Sequence, residues 1–238
     1  MHWKFLDRAA VPDGSELRLY QSGGHFMIRA AGTELMASRN YASEEALATL
    51  ACERVGEQSR VRFLVGGLGM GYTLASALRQ LRSDAEVVVA ELVPDVVRWN
   101  REHFGHLAAY PLEDPRVRLH RGDVAHLLQD SRDEFDAILL DVDNGPEGLT
   151  RVKNDWLYSS DGLRNARLAL RTDGILAIWS CGDYDKFSER LERAGFEIEV
   201  CRGRRRPAQK RSPHVIWLAT PTDYSDAMER EESHDDYR

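Results

Sequence analysis

RVRFLVGGLGMGYTLASALRQLRSDAEVVVAE, residues 60–91, decides the fold of this chain. The apolar run Val61–Val65 predicts a buried strand. GGLGMG, residues 66–71, follows at once. Leu74, Ala75, Leu78 and Leu81 then recur at helical spacing, and a second apolar run, Val87–Ala90, ends on Glu91. Strand, glycine turn, helix, strand and acid make the first half of a nucleotide-binding α/β unit. A strand that turns directly into a helix needs backbone angles that a Cβ obstructs, and glycine removes the obstruction while letting a ligand lie against the main chain. Gly67, Gly69 and Gly71 are spaced G-x-G-x-G, and Glu91 stands twenty residues after Gly71. A carboxylate there can accept hydrogen bonds from both hydroxyls of a ribose.

The spacing also sorts the ligands. A dinucleotide pattern, G-x-G-x-x-G, needs glycine at Tyr72 if it starts at Gly67, and meets Leu68 if it starts at Gly66. The tighter spacing suits an adenosyl-sulfonium ligand, which has no pyrophosphate to cradle. There is no G-x-x-x-x-G-K-[ST], which excludes a P-loop.

Working outward, 238 residues with 42% apolar content allow one α/β domain with a small appendage. The formal charge of −7 argues against non-specific nucleic-acid binding. Cys52, Cys181 and Cys201 are scattered, giving neither a disulfide framework nor a zinc site. No apolar leader and no membrane-length run is present, so the expectation is a cytoplasmic enzyme with no membrane partner.

Before the glycine turn, Leu17–Tyr20, His25–Arg29 and Glu34–Met36 are short β-like runs separated by Gly23-Gly24 and Gly32-Thr33. They predict a hairpin or three-stranded meander within residues 1–42. Ser43 reads as an N-cap for a helix that Gly56 stops. After Glu91, Pro94 opens a helix that Gly105 ends. Val117–His120 and Phe135–Leu140 are the third and fourth strands, Leu157–Leu170 a helix, and Ile175–Trp179 the fifth strand. Phe187, Leu191 and Ala194 mark a last helix, and Phe196–Val200 and His214–Ala219 the last strands. Alternating strands and helices imply a parallel sheet. No helix separates the final two strands, so they pair antiparallel. Seven strands with the last reversed is the Rossmann-like sheet of adenosylmethionine-dependent transferases, here over residues 43–220. Residues 221–238 carry seven acids and two bases, a composition expected to stay disordered.

In such a sheet ligands bind beyond the carboxyl ends of the strands. Four acids arrive there. Glu91 is assigned to ribose. Asp123 reads equally as an acceptor for an adenine amino group and as a helix N-cap. Asp141 and Asp143 follow the fourth strand, where the transferring group belongs. Carboxylates there attract a cationic amine and can take its proton as it attacks. A sulfonium is a good leaving group, so no metal is required.

VGGLGMG, VAELVPDVVRWNREHFG, DPRVRLHRGDV, FDAILLDVDNGP and LYSSDGL together resemble the spermidine synthase family of aminopropyltransferases. The resemblance covers roughly residues 15–220. It implies a small N-terminal β-domain, a Rossmann-like catalytic domain, a homodimer, decarboxylated S-adenosylmethionine as donor and a small-molecule amine as acceptor. It places Gly67, Gly69 and Gly71 along the donor, Glu91 on its ribose and Asp123 at its adenine. Asp141 matches the first acid of the family's D-[ST]-x-D-P loop, with Asp143 near the second, and Tyr158 matches an aromatic in the following helix.

The sequence also departs from the family. The family's G-G-G-D-G has an acid where Gly69 stands, and without it intact S-adenosylmethionine can fit. The Y-H-E signature is missing, with Ser43-Glu44-Glu45 nearby. Arg202, Arg204, Arg205, Arg206, Lys210 and Arg211 crowd the loop between the last strands, an odd neighbour for a polyamine. The rivals to aminopropyl transfer are therefore methyl transfer and a non-catalytic adenosyl-ligand sensor.

Overall fold

Strand β5 (Arg62–Gly66) lies between two parallel neighbours, β6 (Glu86–Glu91) and β8 (Phe135–Leu140). A strand covered on both faces reads as an unbroken apolar run, which is why the sequence identifies these three best. Phe63 and Val65 join Val87, Val89, Ala137 and Leu139 in one core layer, while Leu64 joins Val88, Ile138 and Leu140 in the other. The structure is a computed structural model and describes residues 2–142, 145–146, 156–182, 184–203 and 214–222. Asp143, the basic loop from Arg204 to Arg211 and residues 223–238 lie outside the described residues.

Beyond β6 lies β7 (Val117–Arg121), also parallel. On the other side β8 pairs in parallel with β9 (Leu170–Ser180). Strand β11 (Val215–Pro221) runs antiparallel to β9, and β10 (Phe196–Arg202) pairs antiparallel with β11 at the sheet's end. The order is thus β10-β11-β9-β8-β5-β6-β7, the reversed-last-strand sheet expected. Helices α1 (Ala42–Val55) and α2 (Tyr72–Gln80) cover one face. Helices α4 (Val124–Asp130), α5 (Ser160–Ala169) and α6 (Asp185–Arg193) cover the other, and α3 (Pro94–Trp99) follows β6.

The N-terminal segment forms a separate antiparallel sheet of four strands: β1 (Lys4–Ala10), β2 (Glu16–Ser22), β3 (His25–Ala30) and β4 (Thr33–Ala37). This is one strand more than the sequence reading. Strand β1 buries only Ala9, and its register slips between Phe5 and Asp7, so no period-two pattern marks it. Leu19, Phe26 and Ile28 of this sheet pack on Val96, Trp99 and Phe104. Asp7 ties the two parts together, accepting from Trp99 Nε1 at 2.8 Å and Arg98 Nη2 at 2.6 Å.

Three boundaries are corrected. Tyr41, not Ser43, occupies the cap of α1, and the Ser43 hydroxyl donates instead to the Glu44 carboxylate at 2.8 Å. Gly105 does not end its helix in a left-handed turn: α3 widens into a π turn over Asn100–Phe104, and the chain reverses at Ala109 and Tyr110 with φ of 57° and 52°. A Cβ on Gly105 would stand 2.2 Å from the Asn100 carbonyl, so the glycine serves close packing. Helix α5 starts at Ser160, after Ser159 caps it by accepting from Gly162 N.

Candidate functional site

The glycine turn is sewn between the ends of two strands. Gly67 N donates to Ala90 O at 2.9 Å, and Asp141 N donates to Gly66 O at 3.0 Å. Gly67 has φ of 90°, and a Cβ on it would lie 2.4 Å from the Asp141 carbonyl oxygen. Only glycine allows the turn and the end of β8 to approach this closely. Gly71, at φ 88°, starts α2 and packs on Pro111 and Asn100. It does not line the cleft described below, whereas Gly67 and Gly69 do.

Glu91 ends β6, 8% exposed. One carboxylate oxygen accepts from Leu68 N at 3.0 Å, in the glycine turn, and the other from Val93 N at 2.8 Å. The residue placed by sequence on a ribose therefore also holds the turn against the loop after β6. Carboxylate oxygens can accept more than one hydrogen bond, so the two tasks are compatible. The N-cap reading of Asp123 is the one the structure shows. Asp123 caps α4, accepting from Ala125 N at 2.9 Å, and it lines the cleft.

Asp141 leaves β8 at the centre of the edge. Its Oδ2 accepts from the Thr73 hydroxyl, on the first turn of α2, at 2.7 Å. Burial pushes its carboxyl up to about 6, against the opposing pull of the Thr73 bond. Glu44, on the first turn of α1, is raised to about 7 by burial and then by the nearby charge of Asp141. Thr73 Oγ1 also lies 3.4 Å from the Glu44 carbonyl oxygen. Two acids from separate parts of the sequence thus come close enough for the charge of Asp141 to raise the Glu44 carboxyl.

Asp141 lines a cleft of about 100 Å³, open to solvent. Gly67, Gly69, Glu91, Asp123 and Asp141 form its floor, and Leu17, Ile28, Leu35 and Met36 of the N-terminal sheet form its opposite wall. Three carboxylates line it, and among the described lining residues there is no Lys, Arg or His. Tyr158 is elsewhere than its role required: 1% exposed, it packs edge-on to Phe187 in the core. Its hydroxyl donates to Val142 O at 3.4 Å, so it touches the loop after β8 and not the cleft, where Leu157 stands. Asp143 lies outside the described residues.

Sequence reasoning missed Thr73, the pairing of Glu44 with Asp141 and the apolar wall. Helical periodicity marks Leu74 and Ala75 but says nothing about a polar residue on the opposite side of the turn. The wall residues read only as strand.

Comparison with known proteins bears on the whole arrangement. The spermine/spermidine synthase domain matches residues 41–184. A polyamine aminopropyltransferase of Nitrosomonas europaea is 34% identical over 119 residues, covering 50% of this chain and 34% of that protein. The spermidine synthase of Schizosaccharomyces pombe is 25% identical over 143 residues, 59% of this chain and 47% of that one. The chain therefore spans about a third to a half of the length of these relatives. Among solved structures, a Thermotoga maritima spermidine synthase superposes with a TM-score of 0.71 at 16% identity, over 91% of this chain and 72% of that chain. A spermidine synthase in complex with the transition state analogue AdoDATO gives 0.70 at 17% identity, with the same coverage. With the matched domain spanning the glycine turn and all four strand-end acids, this chain belongs to the spermine/spermidine synthase family.

Proposed function

We propose that the cleft binds decarboxylated S-adenosylmethionine and transfers its aminopropyl group to an amine. The observation that carries this reading is the convergence of Glu91, Asp123 and Asp141 on one cleft without a basic side chain among its described lining residues. Glu91 takes the ribose and Asp123 the adenine amino group, both already fixed by backbone N–H donors. Asp141 faces the reacting end. It holds the acceptor nitrogen and accepts its proton as the nitrogen–carbon bond forms and the carbon–sulfur bond breaks, leaving methylthioadenosine. A carboxyl raised to about 6 is ionised at neutral pH yet basic enough to take that proton. Gly71 and Tyr158 enter only as supports, the first shaping the turn and the second bracing the loop after β8. Asp143, two residues beyond Asp141 and near the place of the family loop's second acid, is the further catalytic candidate. The same resemblance implies a homodimer, which sedimentation of the purified chain tests.

The deciding experiment incubates the protein with each donor and a panel of diamines, and identifies both products by mass spectrometry. Methylthioadenosine together with an aminopropylated amine is expected. Asp141→Asn should lower kcat by about 100-fold or more while leaving donor affinity within a few-fold. Release of S-adenosylhomocysteine with a methylated product would replace this reading by methyl transfer.

A further inference from the structure

Gly69 is where the turn meets the N-terminal sheet. At φ 49° its missing Cβ would stand 3.1 Å from Met36 Cε and 3.2 Å from Met36 Sδ. The thioether of β4 therefore fills the space beside the turn that a side chain at residue 69 would otherwise claim. Met36 is flanked along the cleft wall by Leu35, Ile28 and Leu17, all apolar. The acids that line the cleft are placed elsewhere: Glu91 bonds Leu68 N and Val93 N, Asp123 caps α4, and Asp141 bonds Thr73.

We propose that Met36 determines donor specificity, rejecting a carboxylate on the donor's tail by desolvation and not by a charge on the glycine turn. The inference rests on the reading of the cleft as an adenosyl-sulfonium site and adds the residue that selects among such ligands. S-adenosylmethionine and its decarboxylated form differ by one carboxylate. Placing that group against a thioether and three branched side chains removes part of its water and returns no hydrogen bond, and among the described lining residues no cation can pair with it. The shared ammonium group suffers no such loss, because the charged groups lining the same cleft are carboxylates. An unpaired charge discriminates as repulsion does, by penalising the wrong ligand and leaving the right one untouched.

The test is calorimetric titration of the wild-type protein, Met36→Leu and Met36→Lys with S-adenosylmethionine, its decarboxylated form and methylthioadenosine. Wild type should prefer the decarboxylated donor by about tenfold or more, a difference ordinary for one unpaired charge. Met36→Leu should keep the preference, and Met36→Lys should narrow or reverse it by giving the carboxylate a partner. Equal wild-type affinities, or a ratio unmoved by lysine in a folded variant that still binds methylthioadenosine, overturn the inference. The wild-type ratio needs no variant to fold. Turnover is scored separately: a strong preference without aminopropylated product leaves Met36 as the selector and removes the proposed reaction.

Discussion

At the scale of single residues, the strand-end acids carry two burdens at once. Glu91→Gln keeps one acceptor oxygen for a backbone N–H but loses the charge. It should weaken binding of methylthioadenosine by about 1.5–3 kcal/mol, the worth of hydrogen bonds to a charged group. Unchanged affinity in calorimetry would take Glu91 off the ligand. The Glu44–Asp141 pair makes a prediction in pH. Both carboxyls titrate higher in the folded protein than in the unfolded chain, so the folded state binds more protons through the window from about 4 to 7. Stability must then fall as pH rises through that window. Glu44→Gln removes one charge and should stabilise the protein above pH 7, on the order of 1–3 kcal/mol, with little effect at pH 4. Urea unfolding at the two pH values checks this, and an equal effect at both would show that the pair is not coupled. Glu91 and Asp141 are legible in the sequence because each ends an unbroken apolar run and has to emerge at a sheet edge. Met36 and Thr73 are not, since their place in the cleft depends on how two layers stack and no local pattern encodes it.

At the scale of elements, the glycine turn is a joint between β5, β6 and β8. Gly67→Ala would set a methyl group 2.4 Å from the Asp141 carbonyl and force φ of 90° on an L-residue. The end of β8 would have to move, taking the Asp141 carboxylate with it. The expected result is a loss of about 2–4 kcal/mol in stability together with weakened ligand binding. A variant as stable as wild type in urea would show that the joint is slack. Elements with strong periods, such as β5, β6, β8 and α2, could be read directly. Boundaries decided by non-standard turns could not. The π turn at Asn100–Phe104 and the 3-10 turn at Gly105–Ala108 that follows it keep the chain coiled past the glycine read as its stop, because a glycine chosen for close contact looks the same in sequence as one chosen for a left-handed cap.

At the scale of the molecule, the cleft exists only while the N-terminal sheet stays seated, since one wall is wholly its own. Asp7 is the polar fastening. The indole N–H of Trp99, and then the Arg98 guanidinium, hold its carboxyl down at about 2. A depressed folded value means that the contribution is complete above the unfolded value near 4 and is lost as pH falls toward 2. The side chains of Asp7 and Arg98 are 32% and 40% exposed, so solvent screening reduces the gain to about 1 kcal/mol. Asp7→Asn should lower the urea midpoint accordingly and flatten the acid side of the stability profile. If the profile between pH 4 and 2 keeps its slope, some other carboxylate governs it. The two-part plan of the chain was legible from its change of period near residue 42, from alternating to helical. The seating of one part on the other was not, because Asp7 sits on β1, whose pattern a bulge erases.

Strand β11 is the last of the described strands to appear in the chain, yet it lies inside the sheet, with β9 on one side and β10 on the other. Its Trp217 is fully buried and donates its indole N–H to Ser188 Oγ at 3.0 Å. A ribosome making this protein therefore releases every other strand of the sheet before the one that joins them. Until residues 215–221 emerge, β9 carries a bare row of peptide groups, and β10, already synthesised, has nothing to pair with. The nascent polypeptide must wait with an adhesive flank uncovered, and the time spent translating residues 203–214 sets how long that exposure to other newly made chains lasts.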